Sequence, residues 1–190
     1  KIENEKKLNI VYLGGSITMG CNATKTELRY VDRSAKWWQT NFPDAEISYF
    51  NAGIGATTSQ FGVARVQEHV LDKQPDLVFV EFSVNDSSSP LFMETYESLV
   101  RRLLKAESVK AVVLINNLFY NTGTNAQGIH NAVGLHYDLP IVSVRNYIFP
   151  EIQLGNVCLA DYTADMLHPT DLGHKMIADL ICNLLDTEYS

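Results

Sequence analysis

The stretch that decides the fold lies near the start of the chain and reads Ile10-Val11-Tyr12-Leu13-Gly14-Gly15-Ser16-Ile17-Thr18. Its apolar residues run continuously rather than alternating with polar ones, which is typical of a parallel strand covered on both faces. The two glycines that follow predict a turn from this strand into a helix. Ser16 would then lie at the carboxyl end of the strand, where ligands bind in sheets of this kind.

Similar apolar runs recur along the chain and alternate with segments whose apolar residues have helical spacing. The predicted strands are residues 10–13, 47–50, 77–82, 111–115 and 141–144, and the predicted helices are 33–41, 60–71, 93–106, 125–137 and 170–185. Such alternation predicts right-handed crossovers and a parallel sheet between two helical layers. We therefore predict an α/β fold, a three-layer α/β/α sandwich whose five strands have the flavodoxin-like order 2-1-3-4-5.

The composition is that of a globular protein. The 190 residues are 46% hydrophobic and 19% charged, which excludes a disordered chain or a coiled coil. Residues 1–9 are polar and predict a loose lead-in, and residues 10–190 predict a single domain. The 15 basic and 22 acidic residues give a net charge of −7, which argues against nucleic acid or an anionic membrane as a partner. No apolar run approaches the ~20 residues that a membrane-spanning helix needs.

The cysteines and the short motifs argue against bound cofactors. Cys21, Cys158 and Cys182 are too few and too widely spaced for a disulfide framework or a cysteine-rich metal site. We expect reduced thiols, which slightly favour the cytoplasm, as does the lack of a recognisable signal peptide. The metal-binding spacings His-x-x-x-His and Cys-x-x-Cys do not occur, and the glycine-rich nucleotide-binding motifs are missing too. The sequence therefore predicts neither a metal nor an organic cofactor.

Four short blocks follow the predicted strands or precede the last helix. They are Gly-Gly-Ser-Ile-Thr at 14–18, Asn-Ala-Gly-Ile-Gly-Ala at 51–56, Ser-Val-Asn-Asp at 83–86 and Asp-Met-Leu-His at 165–168. Each block alone is a common turn or cap. In this order, and at the edge of the sheet where parallel strands end, together they indicate a catalytic site.

These blocks resemble those of the SGNH hydrolase superfamily, the GDSL-like esterases and lipases. The resemblance extends from Ser16 to the helix after His168, and the Gly-Gly-Ser-x-Thr form is similar to that of bacterial carbohydrate acetyl esterases. Two positions depart from the commoner motif, because Gly15 replaces an aspartate and Ser83 replaces a glycine. The first departure is usual in the Gly-Gly-Ser subgroup, and the second affects only local backbone freedom.

The resemblance implies a role for each block. Ser16 would be the nucleophile, Asp165 and His168 would complete a Ser-His-Asp triad, and the oxyanion hole would comprise the Ser16 N–H, the Gly53 N–H and the Asn85 side chain. The chemistry of the residues agrees, since a serine hydroxyl needs an adjacent base. An aspartate three residues before a histidine shares a helical face with it and can hold the imidazole in one tautomer. Gly53 has no Cβ to obstruct a substrate oxygen, and Asn85 carries a neutral NH₂ donor.

Other residues with chemical potential lack a partner motif. Gly55 is expected to be a turn glycine, and Asp86 to hold a turn. The remaining histidines are expected to be surface or packing residues: His69, His130, His136 and His174.

We predict a serine esterase that cleaves acetyl esters through an acyl-enzyme without any cofactor. The resemblance implies O-acetyl groups on carbohydrates, so the partner would be a small-molecule or oligosaccharide ester. Two alternatives stay open: an acyltransferase that uses the same site, and a non-catalytic carbohydrate-binding domain on a hydrolase scaffold. The complete set of Ser16, Asp165 and His168 argues against the second, because a binding protein has no need of all three.

Overall fold

The structure is a computed structural model and describes residues 2–189; Lys1 and Ser190 lie outside the described residues. Its centre is a sheet of five strands: β1 (Lys7–Gly14), β2 (Glu46–Gly53), β3 (Leu77–Glu81), β4 (Ala111–Asn116) and β5 (Ile141–Ser143). All neighbouring strands are parallel, and their order is β2-β1-β3-β4-β5. The predicted fold class and strand order are confirmed.

Helices connect the strands and cover both faces of the sheet. They are α1 (Ile2–Glu5), α2 (Ser16–Met19), α3 (Tyr30–Asn41), α4 (Ser59–His69), α5 (Pro90–Leu104), α6 (Gln127–His136), α7 (Val144–Tyr147), α8 (Phe149–Gln153), α9 (Leu159–Tyr162) and α10 (Asp171–Tyr189), with 3₁₀ turns at Thr26–Leu28 and Leu71–Lys73. The five helices expected from sequence are present within a few residues of their predicted bounds. The short helices α7 to α9, between β5 and the Asp-Met-Leu-His block, were not predicted.

The core has two halves because side chains alternate across a strand. Along β1, Ile10 and Tyr12 pack into the half that contains Val31 of α3 and Ile177 of α10. Val11 and Leu13 face the opposite half, which is formed with helices α4, α5 and α6. Burial on both faces explains why β1, β3 and β4 are continuously apolar.

Two local expectations are wrong. The sheet begins inside the segment predicted to be a loose lead-in, because Lys7 pairs with Glu46 and Leu8 is only 7% exposed. The edge strand β2 is not covered on both faces, since Tyr49 and Phe50 are 38% and 44% exposed.

Within residues 2–189, no helix has both the length and the apolar character needed to cross a bilayer.

Candidate active site

Ser16 lies where β1 passes into α2, at the carboxyl edge of the sheet. It is the first residue of α2, and it is 8% exposed. Its carbonyl oxygen accepts hydrogen bonds from the N–H groups of Gly20 and Cys21, both at 3.0 Å, which hold the turn after the helix. The Ser16 Oγ–H donates to Nε2 of His168 over 2.8 Å, so the serine hydroxyl already has a base as its partner.

His168 and Asp165 form the second link of this chain of hydrogen bonds. The Nδ1–H of His168 donates to Oδ2 of Asp165 over 2.7 Å. The expected helical turn between the two residues is wrong, because Met166 has a left-handed φ of 66° and the segment is a loop. Asp165 Oδ1 replaces the helical hydrogen bonds by accepting from the backbone N–H groups of Leu167 at 3.1 Å and His168 at 2.7 Å. The side chain and the backbone of the same loop therefore fix the pair.

The Asp165 carboxylate is stabilised in its charged form. Burial by itself would raise its pKa, but hydrogen bonds from the His168 side chain, from the His168 N–H and from the Leu167 N–H outweigh burial and hold the pKa well below its usual range. Thr163 Oγ1 adds a weaker bond to Oδ1 at 3.3 Å, and Asn22 Nδ2 one to Oδ2 at 3.4 Å. Asp165 is thus an anion that can stabilise a positive charge on His168.

A buried histidine joins the loop after Ser16 to the last helix. His174, in α10, accepts a hydrogen bond at Nδ1 from the Tyr30 N–H over 3.3 Å and donates from Nε2 to the Cys21 carbonyl over 3.1 Å. Burial lowers its pKa to about 4, so the ring is neutral near pH 7. Of the two roles expected for His174, surface or packing residue, this placement agrees with packing. Burial, and secondarily Asp165, raises the pKa of the Cys21 thiol, which argues against a second nucleophile there.

Gly53 lies near Ser16, but its N–H is not free. The Gly53 N–H donates to Oδ1 of Asn51 over 2.9 Å, and a Cβ on Gly53 would collide with the backbone nitrogen of Met19. The absence of a side chain at Gly53 therefore lets β2 pack closely against α2. Since its N–H is already used within the protein, the expectation that Gly53 donates to an oxyanion is wrong.

The turn at Gly55 and Ala56, which follows β2, is better placed than Gly53 to donate hydrogen bonds to a substrate oxygen near Ser16. A Cβ built on Gly55 would lie 3.9 Å from the Cβ of Ser16, so the two residues are neighbours. Ala56 has a left-handed φ of 56°, a conformation that few residues other than glycine adopt. Among the described residues, the N–H groups of Gly55 and Ala56 have no hydrogen-bond partner. Gly55 lies in a turn, as expected, but sequence reasoning assigned the oxyanion donor to Gly53, because two glycines lie two positions apart in the block and nothing in the sequence says which one ends the strand.

Asn85 lies on the other side of Ser16. A Cβ on Gly15 would be 2.5 Å from Oδ1 of Asn85, so only glycine allows this approach. Oδ1 is buried without a hydrogen-bond partner in the described part of the chain, and Nδ2 donates to no protein group there either, so the NH₂ is available to a substrate.

A buried carboxyl group lies at the end of β3, the central strand. Glu81 is fully buried, and this burial raises its pKa to about 7, although the nearby polar groups of Asn117 and Ser83 act to lower the pKa. Ser83 replaces the glycine of the commoner motif, and its Oγ contacts Glu81 Oε1 at 3.2 Å and Asn117 at both backbone atoms. The substitution at Ser83 thus builds a polar layer beneath the site.

Among the residues that the structure describes, no group of three or more His, Cys, Asp or Glu side chains is arranged to hold a metal ion.

Comparison with known proteins places this geometry in a family. The GDSL-like lipase/acylhydrolase family model matches residues 12–176. The chain is 25% identical, over 94% of its length and 93% of the relative's, to an acetylxylan esterase of Geobacillus stearothermophilus. It is 24% identical, over 93% of its length and 82% of the relative's, to thioesterase 1/protease 1/lysophospholipase L1 of Escherichia coli K12.

A solved structure is more similar still. It is a two-domain esterase active on acetylated mannans, crystallised with mannopentaose, and it shares 49% identity and a TM-score of 0.94 over 95% of this chain. The chain spans about half of that protein, since the match covers 49% of its length. With a family model that matches most of the chain, and the Ser16–His168–Asp165 geometry at the expected edge of the sheet, the chain belongs to the GDSL-like lipase/acylhydrolase family.

Proposed function

We propose that this protein is a serine esterase that removes O-acetyl groups from carbohydrates through a Ser-His-Asp triad. The observation that carries the proposal is the unbroken path from Ser16 Oγ through both ring nitrogens of His168 to Asp165, with links of 2.8 and 2.7 Å. A serine activated in this way is the standard arrangement for acyl transfer.

The reaction has two halves. In the first, Ser16 Oγ attacks the ester carbonyl carbon while His168 Nε2 takes the hydroxyl proton, and the imidazolium is stabilised by Asp165. The same proton then goes to the departing sugar oxygen, which leaves an acetyl-serine. In the second half, His168 removes a proton from water, hydroxide attacks the acetyl-serine, and Ser16 Oγ recovers its proton as acetate leaves.

Four donors stabilise the negative oxygen that forms in both halves. They are the Ser16 N–H, the Asn85 side-chain amide and the backbone N–H groups of Gly55 and Ala56. This set replaces Gly53, whose N–H already donates to Asn51. Its support is the proximity of Gly55 to Ser16 and the uncommitted amide of Asn85. Such donors stabilise the transition state because they are oriented before the charge develops.

The substrate class follows from the relatives. One is an acetylxylan esterase and another acts on acetylated mannans, and both match more than 90% of this chain. An acetylated xylan or mannan, or an oligosaccharide derived from one, is therefore the proposed substrate.

The test is acetate release from a panel of acetylated xylan, acetylated mannan and their oligosaccharides. We expect acetate from at least one member with the wild-type protein and none with Ser16→Ala. Addition of an unacetylated acceptor sugar separates hydrolysis from transfer, since a transferase would form acetylated acceptor instead of free acetate. The proposal would be refuted if the wild type released acetate from no member of the panel and did not hydrolyse p-nitrophenyl acetate.

A further inference from the structure

A second Asp–His pair lies beneath the site, and it is fully enclosed. The side chains of Asp86 and His130 are both 0% exposed, and the Nε2–H of His130 donates to Oδ2 of Asp86 over 3.0 Å. The other oxygen, Oδ1, accepts the backbone N–H of Ser59 over 2.9 Å. One buried carboxylate therefore joins three segments that are distant in sequence: the loop after β3, the first residue of α4, and α6.

We propose that Asp86 and His130 are positioning residues that hold the two separate parts of the oxyanion hole in place. The inference rests on the proposed function, because it concerns the donors assigned there. Asn85 directly precedes Asp86, and the N–H groups of both residues bind the Phe82 carbonyl at 3.0 Å. The backbone turn that carries the Asn85 amide is therefore continuous with the residue whose carboxylate binds Ser59 and His130.

The other part of the hole is attached to the same carboxylate through α4. The Gly55–Ala56 turn runs into this helix within three residues, and Ser59 is the residue whose N–H binds Asp86. A carboxylate at the amino end of an eleven-residue helix is favoured by the helix dipole as well as by the hydrogen bond. Because hydrogen bonds to a charged group are stronger than neutral ones, Asp86 is a stiff anchor for this turn.

The surroundings of His130 fix its ring so that it donates a hydrogen bond to Asp86. Its ring stacks on Tyr96 of α5 with 3.6 Å between ring centroids and 6° between planes. Burial lowers the pKa of His130, although Asp86 opposes this, and a neutral ring that donates from Nε2 has no proton on Nδ1. In the described part of the chain Nδ1 has no partner, so the bond to Asp86 is the one hydrogen bond that the ring makes with a side chain.

Two substitutions of His130 separate the hydrogen bond from the packing. His130→Phe keeps an aromatic ring over Tyr96 but removes the donor to Asp86. His130→Gln loses the ring but keeps an N–H near the position of Nε2. Since complete loss of one oxyanion donor costs about 10²–10³ in kcat, we expect displacement of the donors in His130→Phe to cost about 10- to 100-fold in kcat on p-nitrophenyl acetate. KM should stay within about twofold, and His130→Gln should keep kcat within about threefold of wild type.

The control is His136→Gln, the same substitution at an exposed position of α6. Folding of each variant is followed by circular dichroism and thermal unfolding. A purely structural role predicts the opposite ranking, with His130→Gln worse because it loses the stack on Tyr96. That ranking, or equal kcat in both His130 variants, would overturn the inference.

Because His130→Phe leaves a buried carboxylate with one donor fewer, it can fail to fold. Asp86→Asn then carries the test, since it keeps the shape of the side chain and an acceptor for Ser59 but replaces charge-assisted bonds by neutral ones. We expect a loss of about three- to tenfold in kcat with KM unchanged, and an unchanged kcat would refute the inference. An inactive wild type would instead refute the proposed function itself, and this inference with it.

Discussion

The two Asp–His pairs of this protein are chemically alike and physically opposite. The side chains of Asp165 and His168 are 45% and 21% exposed, whereas those of Asp86 and His130 are both fully buried. The first pair lies on one loop and meets the Ser16 hydroxyl, and the second joins residues 44 positions apart and meets only protein. The third partner and the access of solvent therefore decide what an Asp–His pair can do.

Exposure matters because a catalytic base must change charge during the reaction. Asp165 and its hydrogen bonds lie at the surface, where water and substrate can reach His168 and where a transient imidazolium is hydrated on one side. Beneath the surface, burial lowers the pKa of His130 and opposes the same change of charge. We therefore expect loss of the exposed pair to stop the reaction. Loss of the buried pair should only displace the oxyanion donors and slow the reaction.

The largest effects should come from the Ser16 hydroxyl, which only the exposed pair contacts, and from His168, which is hydrogen-bonded to it. Ser16→Ala and His168→Ala should each lower kcat by about 10⁶, and the double variant should be little worse, because triad members act as a unit. The thermal unfolding midpoint of each variant should stay within a few degrees of wild type. Steady-state hydrolysis of p-nitrophenyl acetate measures the loss, and Ser16→Ala with more than a few per cent of wild-type activity would disprove the nucleophile assignment.

The same substitution in both pairs makes the comparison direct. Asp165→Asn should cost about 10⁴ in kcat, since an amide can hold the wrong imidazole tautomer and carries no charge for the imidazolium. This is less than either alanine variant of the triad and far more than the three- to tenfold loss expected for Asp86→Asn. Similar losses at the two positions would contradict the division of roles between the pairs.

The oxyanion donors should come next in size. Asn85→Ala removes one donor and should lower kcat by about 10²–10³ while KM changes little. Asn41→Ala is the matched control, because Asn41 is exposed at the far end of α3 and its side chain bonds only the Trp37 carbonyl among the described residues. A higher KM with an unchanged kcat would show that Asn85 binds the ground state as strongly as the transition state.

Sequence reasoning succeeds where the signal is local. The continuous runs of β1, β3 and β4 predict buried parallel strands, and Asp165 and His168 lie close enough in sequence to be recognised together. It is wrong at the loop between them, since helical spacing does not reveal the left-handed Met166 or the backbone bonds to Asp165.

Where contacts cross long distances in sequence, the pattern alone is insufficient. The β1–β2 register pairs Gly14 with Gly53, so Gly53 still belongs to the strand and the turn begins after it. That boundary, and the Asn51 side chain that takes the Gly53 N–H, decides which backbone donors are free. His130 lies 44 residues from Asp86 on a helix with ordinary spacing, and nothing local marks the pair.

The buried layer beneath the site should also be visible in the pH dependence of stability. Burial raises the pKa of Glu81 to about 7 from a reference value of 4.5, so the folded chain holds a proton there that the unfolded chain releases. The resulting stabilisation is present below pH 4.5 and is lost as the pH rises through 7. Relative to wild type, the free energy of unfolding of Glu81→Gln should therefore increase by about 2–3 kcal/mol between pH 5 and pH 8.

Denaturant unfolding at the two pH values measures this difference. His174→Gln is a control, because its pH dependence should have the opposite direction. The pKa of His174 is lowered to about 4, so its neutral form stabilises the fold near pH 7 and this contribution is lost as the pH falls from 6.5 towards 4. Relative to wild type, His174→Gln should therefore gain stability as the pH falls. A Glu81→Gln difference that is the same at pH 5 and pH 8 would mean that Glu81 is charged in the folded state.

The smallest expected effect concerns the acyl group at the exposed site. The point where a Gly55 side chain would begin lies 3.6 Å from the Met19 methyl carbon and 3.9 Å from Ser16 Cβ, so Met19 borders the serine. A buried methylene contributes only about 0.8 kcal/mol, and nothing if the chain stays in water. We expect kcat/KM to fall from p-nitrophenyl acetate through butyrate to octanoate. Met19→Ala should raise the butyrate-to-acetate ratio by at most about fifteenfold, the value of two further buried methylenes. Met93→Ala is the control. Met93 on α5 is 42% exposed, like Met19, but it lines a different cleft, with Glu97 and Arg101. Equal or rising values along the wild-type series would reveal an apolar acyl channel and a lipase-like specificity, and the same ratio in both methionine variants would remove Met19 from the acyl site.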